Sequence, residues 1–423
     1  MKRLLVVAVA ACALWTAPGA FAATWCGSGE TASDRPDIVA GPDVHAVFAI
    51  ASDGADTFPA VSSTIETDVE SISTWWQGQD PTRIPRFDTA TFGATTCTDI
   101  SVVHLPTTQE ALSSGGADLG FQLVTTDLEA AGFDNPFKKY LVYYDGPPVQ
   151  PDVCGTGAGD FASGPSFAVV WLEGCPGVPT DSISAHELLH ALGALPAGAP
   201  HACPGDPGHP CDSPQDVLYP YNSGLPLAQL YLDYGHDDYY AHSGSWIDIQ
   251  DSIWLHRLDE QSVALDVALT GAGLVTSDQP GLVCSTACAT QWDPGSNPVL
   301  SARGTATTRF IRWGGACLGS ADRCSLTLNG ATSVTALFGP KTIAVRATKA
   351  GRGEVVCTPV CSTHYSAGRK LTMRAVPAAG WRFVRWSGAC TGTAPVCRLS
   401  TDYSLAAKAT FARKPVATTP KKR

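Results

Sequence analysis

The segment "HELLHALGALP", running from His186 to Pro196, places two histidines four residues apart with a glutamate beside the first. On a helix, residues i and i+4 lie on one face. Both imidazoles can therefore reach one Zn²⁺ at about 2.0–2.1 Å. A zinc ion lowers the pKa of a bound water to about 7 and polarises a carbonyl. Glu187 is placed to take the water's proton and later pass it to a leaving amine. With 10 His and 9 Glu in 423 residues, chance supplies about 0.005 matches to this spacing in the whole chain.

Two imidazoles leave a catalytic site incomplete, because such sites typically use three protein ligands and an open position. Downstream, His201 in "APHAC" and His209 in "GHPC" are the imidazole candidates, and Asp206 and Asp212 are weaker carboxylate candidates. Geometry alone leaves His201 and His209 both open. A carboxylate near the metal more often orients a ligand imidazole than ligates, the role expected of Asp212.

"HELLHALG" resembles the first eight residues of the metzincin motif HExxHxxGxxH. The resemblance implies His186 and His190 as ligands, Glu187 as general base and Gly193 as the turn that ends the helix. The third motif histidine has no counterpart, since Pro196 stands in its place. The segment "HPCDSPQDVLYP", His209 to Pro220, is similar to the Met-turn region of the matrix-metalloproteinase branch, which begins with the third ligand. That alignment implies His209 as third ligand, on a connection thirteen residues longer. It sets Leu218 where the family has methionine, and the only methionines are Met1 and Met373. A Leu for Met exchange conserves volume and usually costs under about 1.5 kcal/mol. Tyr219 and Tyr221 are candidates for a pocket wall or an oxyanion donor. Asp233, Asp237 and Asp238 offer oxygens for a Ca²⁺ but match no defined loop. The remaining histidines, among them His45 and His256, show no ligand spacing and read as surface or satisfied core residues.

The elements that must hold these residues are legible nearby. "DVHAVFAIA" (43–51), "DISVVHLP", "KYLVYYDG" and "SFAVVWLEG" (166–174) read as strands. Val61, Ile65, Val69, Ile72 and Trp76 recur on one helical face, and a second helix is expected around "FQLVTTDLEAAG". Strands alternating with helices predict a mixed sheet backed by long helices, with the motif helix starting near Ser182. Cys203–Cys211 is the most local cysteine pairing here, with Cys26–Cys97 and Cys154–Cys175 as working pairs.

The second half contains a repeat. Cys284, Cys288, Cys317 and Cys324 recur 73 residues later as Cys357, Cys361, Cys390 and Cys397. "FIRWGGAC" likewise recurs as "FVRWSGAC", so two tandem modules of one fold follow. Short alternating runs make each module a small β unit, with its Trp packed on a disulfide. The modules resemble divergent internalin-type bacterial repeats, which implies a spacer, adhesion or surface-binding role. A cell-surface or polysaccharide ligand is the partner that role suggests.

The ends and composition set the context. Lys2 and Arg3 followed by an apolar run and "APGAFA" read as an export signal cleaved after Ala22. The 14 cysteines beyond it form an even number, which in an exported chain points to disulfides. A net charge of −11 argues against a nucleic-acid partner, and no other stretch reaches the 18 apolar residues of a membrane span. The expectation is an α/β (α+β) zincin-like domain with a mixed sheet and a long active-site helix, followed by two small disulfide-stapled all-β repeat domains. Its parts are a signal peptide at 1–22, the zincin-like region at 23–261, repeats at 262–339 and 340–413, and a basic tail at 414–423. The function expected is a secreted zinc-dependent endopeptidase acting on protein or peptide. The alternative is an extracellular surface-binding or adhesion protein whose zincin-like domain is non-catalytic. Retention of Glu187 separates the two, since a purely structural zinc site has no use for a general base.

Overall fold

Asp43–Ile50 (β1) is buried along its whole length, as a strand must be when its sheet is covered on both faces. This comes from a computed structural model that describes residues 24–27, 31–195, 198–221, 223–358, 360, 365–366, 368–400 and 404–415. The expected signal at 1–22, Pro196 and the tail beyond Pro415 lie outside the described residues. The chain is mostly β with few helices.

After β1 come helix α1 (Phe58–Gln79), β2 (Ile100–His104), helix α2 (Gly116–Ala130) and β3 (Lys138–Tyr144). Then follow β4 (Gly155–Ala158), β5 (Ser166–Trp171) and helix α3 (Thr180–Ala191). The sheet has the order β2-β1-β3-β5-β4. All pairs are parallel except β4, which runs antiparallel along the edge beside β5. One face packs Val44, Ala46, Phe48 and Ile50 against Ile65, Val69, Ile72 and Trp76 of α1 and Leu188 and Leu189 of α3. The other packs Val47 and Ala49 against Val124 and Leu128 of α2. The period-four stripe of α1 is thus the face that meets the sheet; Val61, at its end, is only partly buried. The motif helix begins at Thr180, earlier than Ser182, and at 12 residues it is shorter than expected.

Charge is also built into this region. Lys138 is fully buried, and its ammonium lies 2.6 Å from Asp34 and 3.1 Å from Asp88, with Asp37 closer still and Asp43 at 3.7 Å. Burial pushes the carboxyl of Asp43 well above its ordinary range. His45 sits in the same nest, held by Asp88 at 2.9 Å and Ser101 at 2.9 Å, a satisfied core histidine.

The repeats follow as pairs of small sheets. In the first, β8 (Val263–Thr270), β9 (Thr308–Gly315) and β10 (Thr332–Pro340) share one sheet, with β8 parallel and β9 antiparallel to β10. In the second, β11 (Val345–Ala350), β12 (Trp381–Gly388) and β13 (Leu405–Arg413) do the same. Both copies carry a bulge one residue after the first Phe of the motif. Trp313 and Trp386 are buried in cores that also hold Cys317 and Cys390. Disulfides join Cys284–Cys288, Cys317–Cys324 and Cys390–Cys397. The first repeat docks on the α/β region through Asp293, which pairs with Arg86 and lies 2.7 Å from His256.

Candidate metal centre

Helix α3 ends because Gly193 adopts φ +85°, a conformation that strains any residue with a Cβ. The Gly193 N–H donates to the His190 carbonyl and the Ala194 N–H to the Leu189 carbonyl, each at 3.0 Å. These two bonds satisfy helix-end carbonyls and reverse the chain. The helix start is held from α1: Asp68 accepts hydrogen bonds from Thr180 at 2.9 Å and Ser184 at 3.1 Å. Burial pushes the Asp68 carboxyl up to about 7. Beyond the turn, Ala202–Cys203 (β6) and Asp206–Pro210 (β7) form a hairpin clamped by Cys203–Cys211. Cys26–Cys97 and Cys154–Cys175 join the other pairs in this region.

The hairpin brings His209 over the helix. The Nε2 atoms of His186, His190 and His209 lie 3.2 Å from one another in every pairing. A triangle with 3.2 Å sides puts each nitrogen about 1.85 Å from its centre, close to the roughly 2.0–2.1 Å of a zinc–imidazole bond, so these three rings would hold such an ion. The Nδ1–H of His186 donates to the Val217 carbonyl at 2.7 Å, which leaves the Nε2 lone pair facing the centre. Burial, with His209 as the next contribution, lowers His186 to about 4. Burial also takes His190 well below its ordinary value. Both rings are therefore neutral at pH 7, the form that ligates. Asp206 approaches His209 Nδ1 to 3.0 Å, but off hydrogen-bond alignment, leaving that nitrogen without a hydrogen-bond partner.

Glu187 lines a cavity of about 850 Å³ together with the three histidines. Burial pushes its carboxyl up to about 8. A neighbouring cation favours the ionised form of such a group, so three imidazoles beside a costly carboxylate fit a divalent ion. The edge strand β4 makes room for this arrangement. A Cβ on Gly155 would lie 2.4 Å from Glu187 Cγ, and one on Gly157 2.5 Å from the Glu187 carbonyl and 2.8 Å from His190 Cβ. Sequence reasoning missed these glycines. The alternation in "GTGAG", Gly155 to Gly159, was the available signal, since glycine within a strand often marks close backbone approach.

The other candidates divide. Tyr219 and Tyr221 border the cavity, and Tyr221 is exposed at its mouth. Leu218 is fully buried in the core and does not border the cavity, so its role is packing. His201 is turned away, its Nδ1 3.1 Å from Asp238. Asp212 is corrected as an orienting partner of a ligand: it is exposed and groups with His201, Asp237 and Asp238. The disulfide at Cys211 separates it from His209, so sequence proximity misled. The trio Asp233, Asp237 and Asp238 divides, with Asp237 and Asp238 grouped beside His201 and Asp212. Asp233 accepts the backbone N–H groups of Asp238, Tyr239 and Tyr240 and ties its own loop.

Residues 343–415 match the family model of the divergent InlB B-repeat domain. No curated protein sequence matches the chain. Among solved structures, wild-type OgpA from Akkermansia muciniphila is similar over 88% of this chain and 95% of its own, at 12% identity and a TM-score of 0.29. Catalytically inactive OgpA from the same organism, in complex with an O-glycopeptide substrate (glycodrosocin), is similar over 89% and 96%, at 10% identity and a TM-score of 0.28. The minor pilin GBS52 of Streptococcus agalactiae is similar over 38% of this chain and 100% of its own, at 6% identity and a TM-score of 0.15. Likeness this low carries no functional argument. The disulfides and the repeat domain fit an extracellular protein. Among the described residues no helix is long and apolar enough to cross a membrane.

Proposed function

We propose that the protein is an exported zinc-dependent endopeptidase of metzincin-like design, with His186, His190 and His209 as ligands and Glu187 as general base. The observation that carries this reading is the 3.2 Å triangle of Nε2 atoms on the wall of a cavity shared with a buried glutamate. When bound, the zinc supplies Lewis acidity for the scissile carbonyl and the attacking water. Val217 fixes the His186 ring, and the clamped hairpin fixes His209, so the donor set is pre-positioned. Glu187 takes a proton from the attacking water and delivers it to the leaving amine. Its burial makes it a stronger base than a solvated carboxylate. The edge strand β4 borders the cavity and offers backbone groups to an extended peptide. Tyr219 and Tyr221 wall the far side.

Two measurements test the reading. Metal content should fall in His186→Ala and His209→Ala but not in His201→Ala. Glu187→Gln should keep its metal and lose roughly 10²- to 10⁴-fold in peptide hydrolysis. A site emptied by His201→Ala and kept by His209→Ala removes the ligand assignment. Hydrolysis that survives both chelation and Glu187→Gln removes the mechanism.

A further inference from the structure

The two repeats share a fold but not a charge. Residues 262–339 hold four Lys and Arg and four acidic residues; residues 340–413 hold twelve and two. The second repeat thus carries +10 within a chain of net −11, a local sign that the whole-chain charge conceals.

The strand register shows where the charge goes. On β13, Ala407, Ala409 and Phe411 are buried, so Ala406, Lys408, Thr410 and Ala412 point outward. Arg346 pairs with Ala406, Thr348 with Lys408, Ser387 with Lys408, Arg385 with Thr410 and Arg382 with Ala412. Partners across a ladder share a face. The outer face of the β11-β13-β12 sheet therefore presents Arg346, Lys408, Arg385 and Arg382, all exposed. Hydroxyls of Thr348, Ser387 and Thr410 lie between them. Among the described residues no carboxylate shares this face, and none of the four cations forms an ion pair.

The first repeat folds without two of these four charges, while Arg309 and Arg312 keep the places of Arg382 and Arg385. Asp266 occupies the place of Arg346, since it pairs with Ser333, 73 residues before Ala406. Thr335 occupies the place of Lys408 in the same way. The core residues Phe310, Trp313 and Phe338 correspond to Phe383, Trp386 and Phe411 and are kept. The opposite sheet is also more basic in the second copy, with Lys370, Arg374 and Arg398 for Asn297, Ser301 and Ser325. There, however, Glu354 and the exposed valines Val356, Val376 and Val396 break up the face.

We infer that the outer face of the β11-β13-β12 sheet binds an anionic polysaccharide, and so holds the enzyme region close to a charged glycan surface. A flat row of cations with hydroxyls between them suits sulfate, phosphate or uronate groups repeated along an extended chain. Nucleic-acid single strands are gripped by exposed aromatics on which bases stack. Here Trp386 is buried and Trp381 lies beneath Arg413.

The test uses the full chain and dextran sulfate, with neutral dextran and a 20-base-pair DNA duplex as controls. One variant takes first-repeat residues on the proposed face, Arg346→Asp with Lys408→Thr. A second takes them on the opposite sheet, Lys370→Asn with Arg374→Ser and Arg398→Ser. Both change the charge by −3, and circular dichroism checks that both fold. Dextran sulfate should bind and neutral dextran should not. The first variant should weaken binding roughly tenfold to a hundredfold and flatten its salt dependence by about two to three in log–log slope. The second should weaken it by less than about threefold, as expected for charges far from a screened contact. Equal losses in both variants, no binding by the unmodified chain, or tighter binding of DNA at matched charge would each overturn the assignment. Hydrolysis of a small peptide should be unchanged in the first variant, which separates this result from the fate of the zinc reading.

Discussion

In the α/β region Asp43, Asp68, Asp88, Lys138, Lys139 and Glu187 are all buried, each lodged in a specific set of partners or against the cavity. In the repeats, among the described residues, no charged side chain is buried, and Gln279 is the one buried amide. Their cores are apolar side chains and disulfides, and their charges stand in water. The difference separates two ways of carrying function. Inward chemistry depends on the fold being intact to fractions of an ångström and constrains it in return. Outward charge can be rewritten between copies while the core stays, as the two repeats show.

Substitutions should reveal that contrast in descending order of effect. Lys138→Met leaves Asp34, Asp37, Asp43 and Asp88 without their cation and should cost about 3–5 kcal/mol, read as a fall in the urea midpoint of the α/β transition. A loss under about 1 kcal/mol would mean the carboxylates are neutral without the lysine. Next, opening the hairpin with Cys203→Ser and Cys211→Ser, eight residues apart, should cost about 2–3 kcal/mol. The same pair should weaken zinc affinity, measured by chelator competition, because His209 loses its support.

Asp68→Asn sharpens the comparison through pH. The folded carboxyl is raised to about 7, so the native state holds a proton that the unfolded chain releases from about pH 4 upward. Its contribution to stability is therefore greatest below pH 4 and declines as pH rises to about 7. Asparagine, which does not titrate, should make chelated protein less pH-sensitive across that window, by no more than about 4 kcal/mol in total. An unchanged slope would show that Asp68 is ionised throughout. The smallest effect should come from Arg346→Asp with Lys408→Thr, whose stability should stay within about 0.5 kcal/mol per site even where ligand binding collapses.

How much of this the chain declares in advance follows the same division. His186, Glu187 and His190 are readable because helical periodicity alone brings them together. The repeats are readable because a fixed offset of 73 repeats their cysteines and aromatics. His209 needed an alignment, since the link from Gly193 is tertiary and no local rule spans it. Asp212 was misplaced because two or three residues along a chain say little about direction after a disulfide turn. The lysine nest and the β4 glycines were not foreseen: both arise where segments distant in sequence press together, and single residues do not announce such contacts.

Leu218, next to the carbonyl that steers His186, has one further consequence. Peroxides commonly disable proteins by turning a buried thioether into a polar sulfoxide or by attacking a free thiol. The α/β region has no methionine, and its six described cysteines are already bridged. By either route an oxidant finds no sulfur to modify in that region.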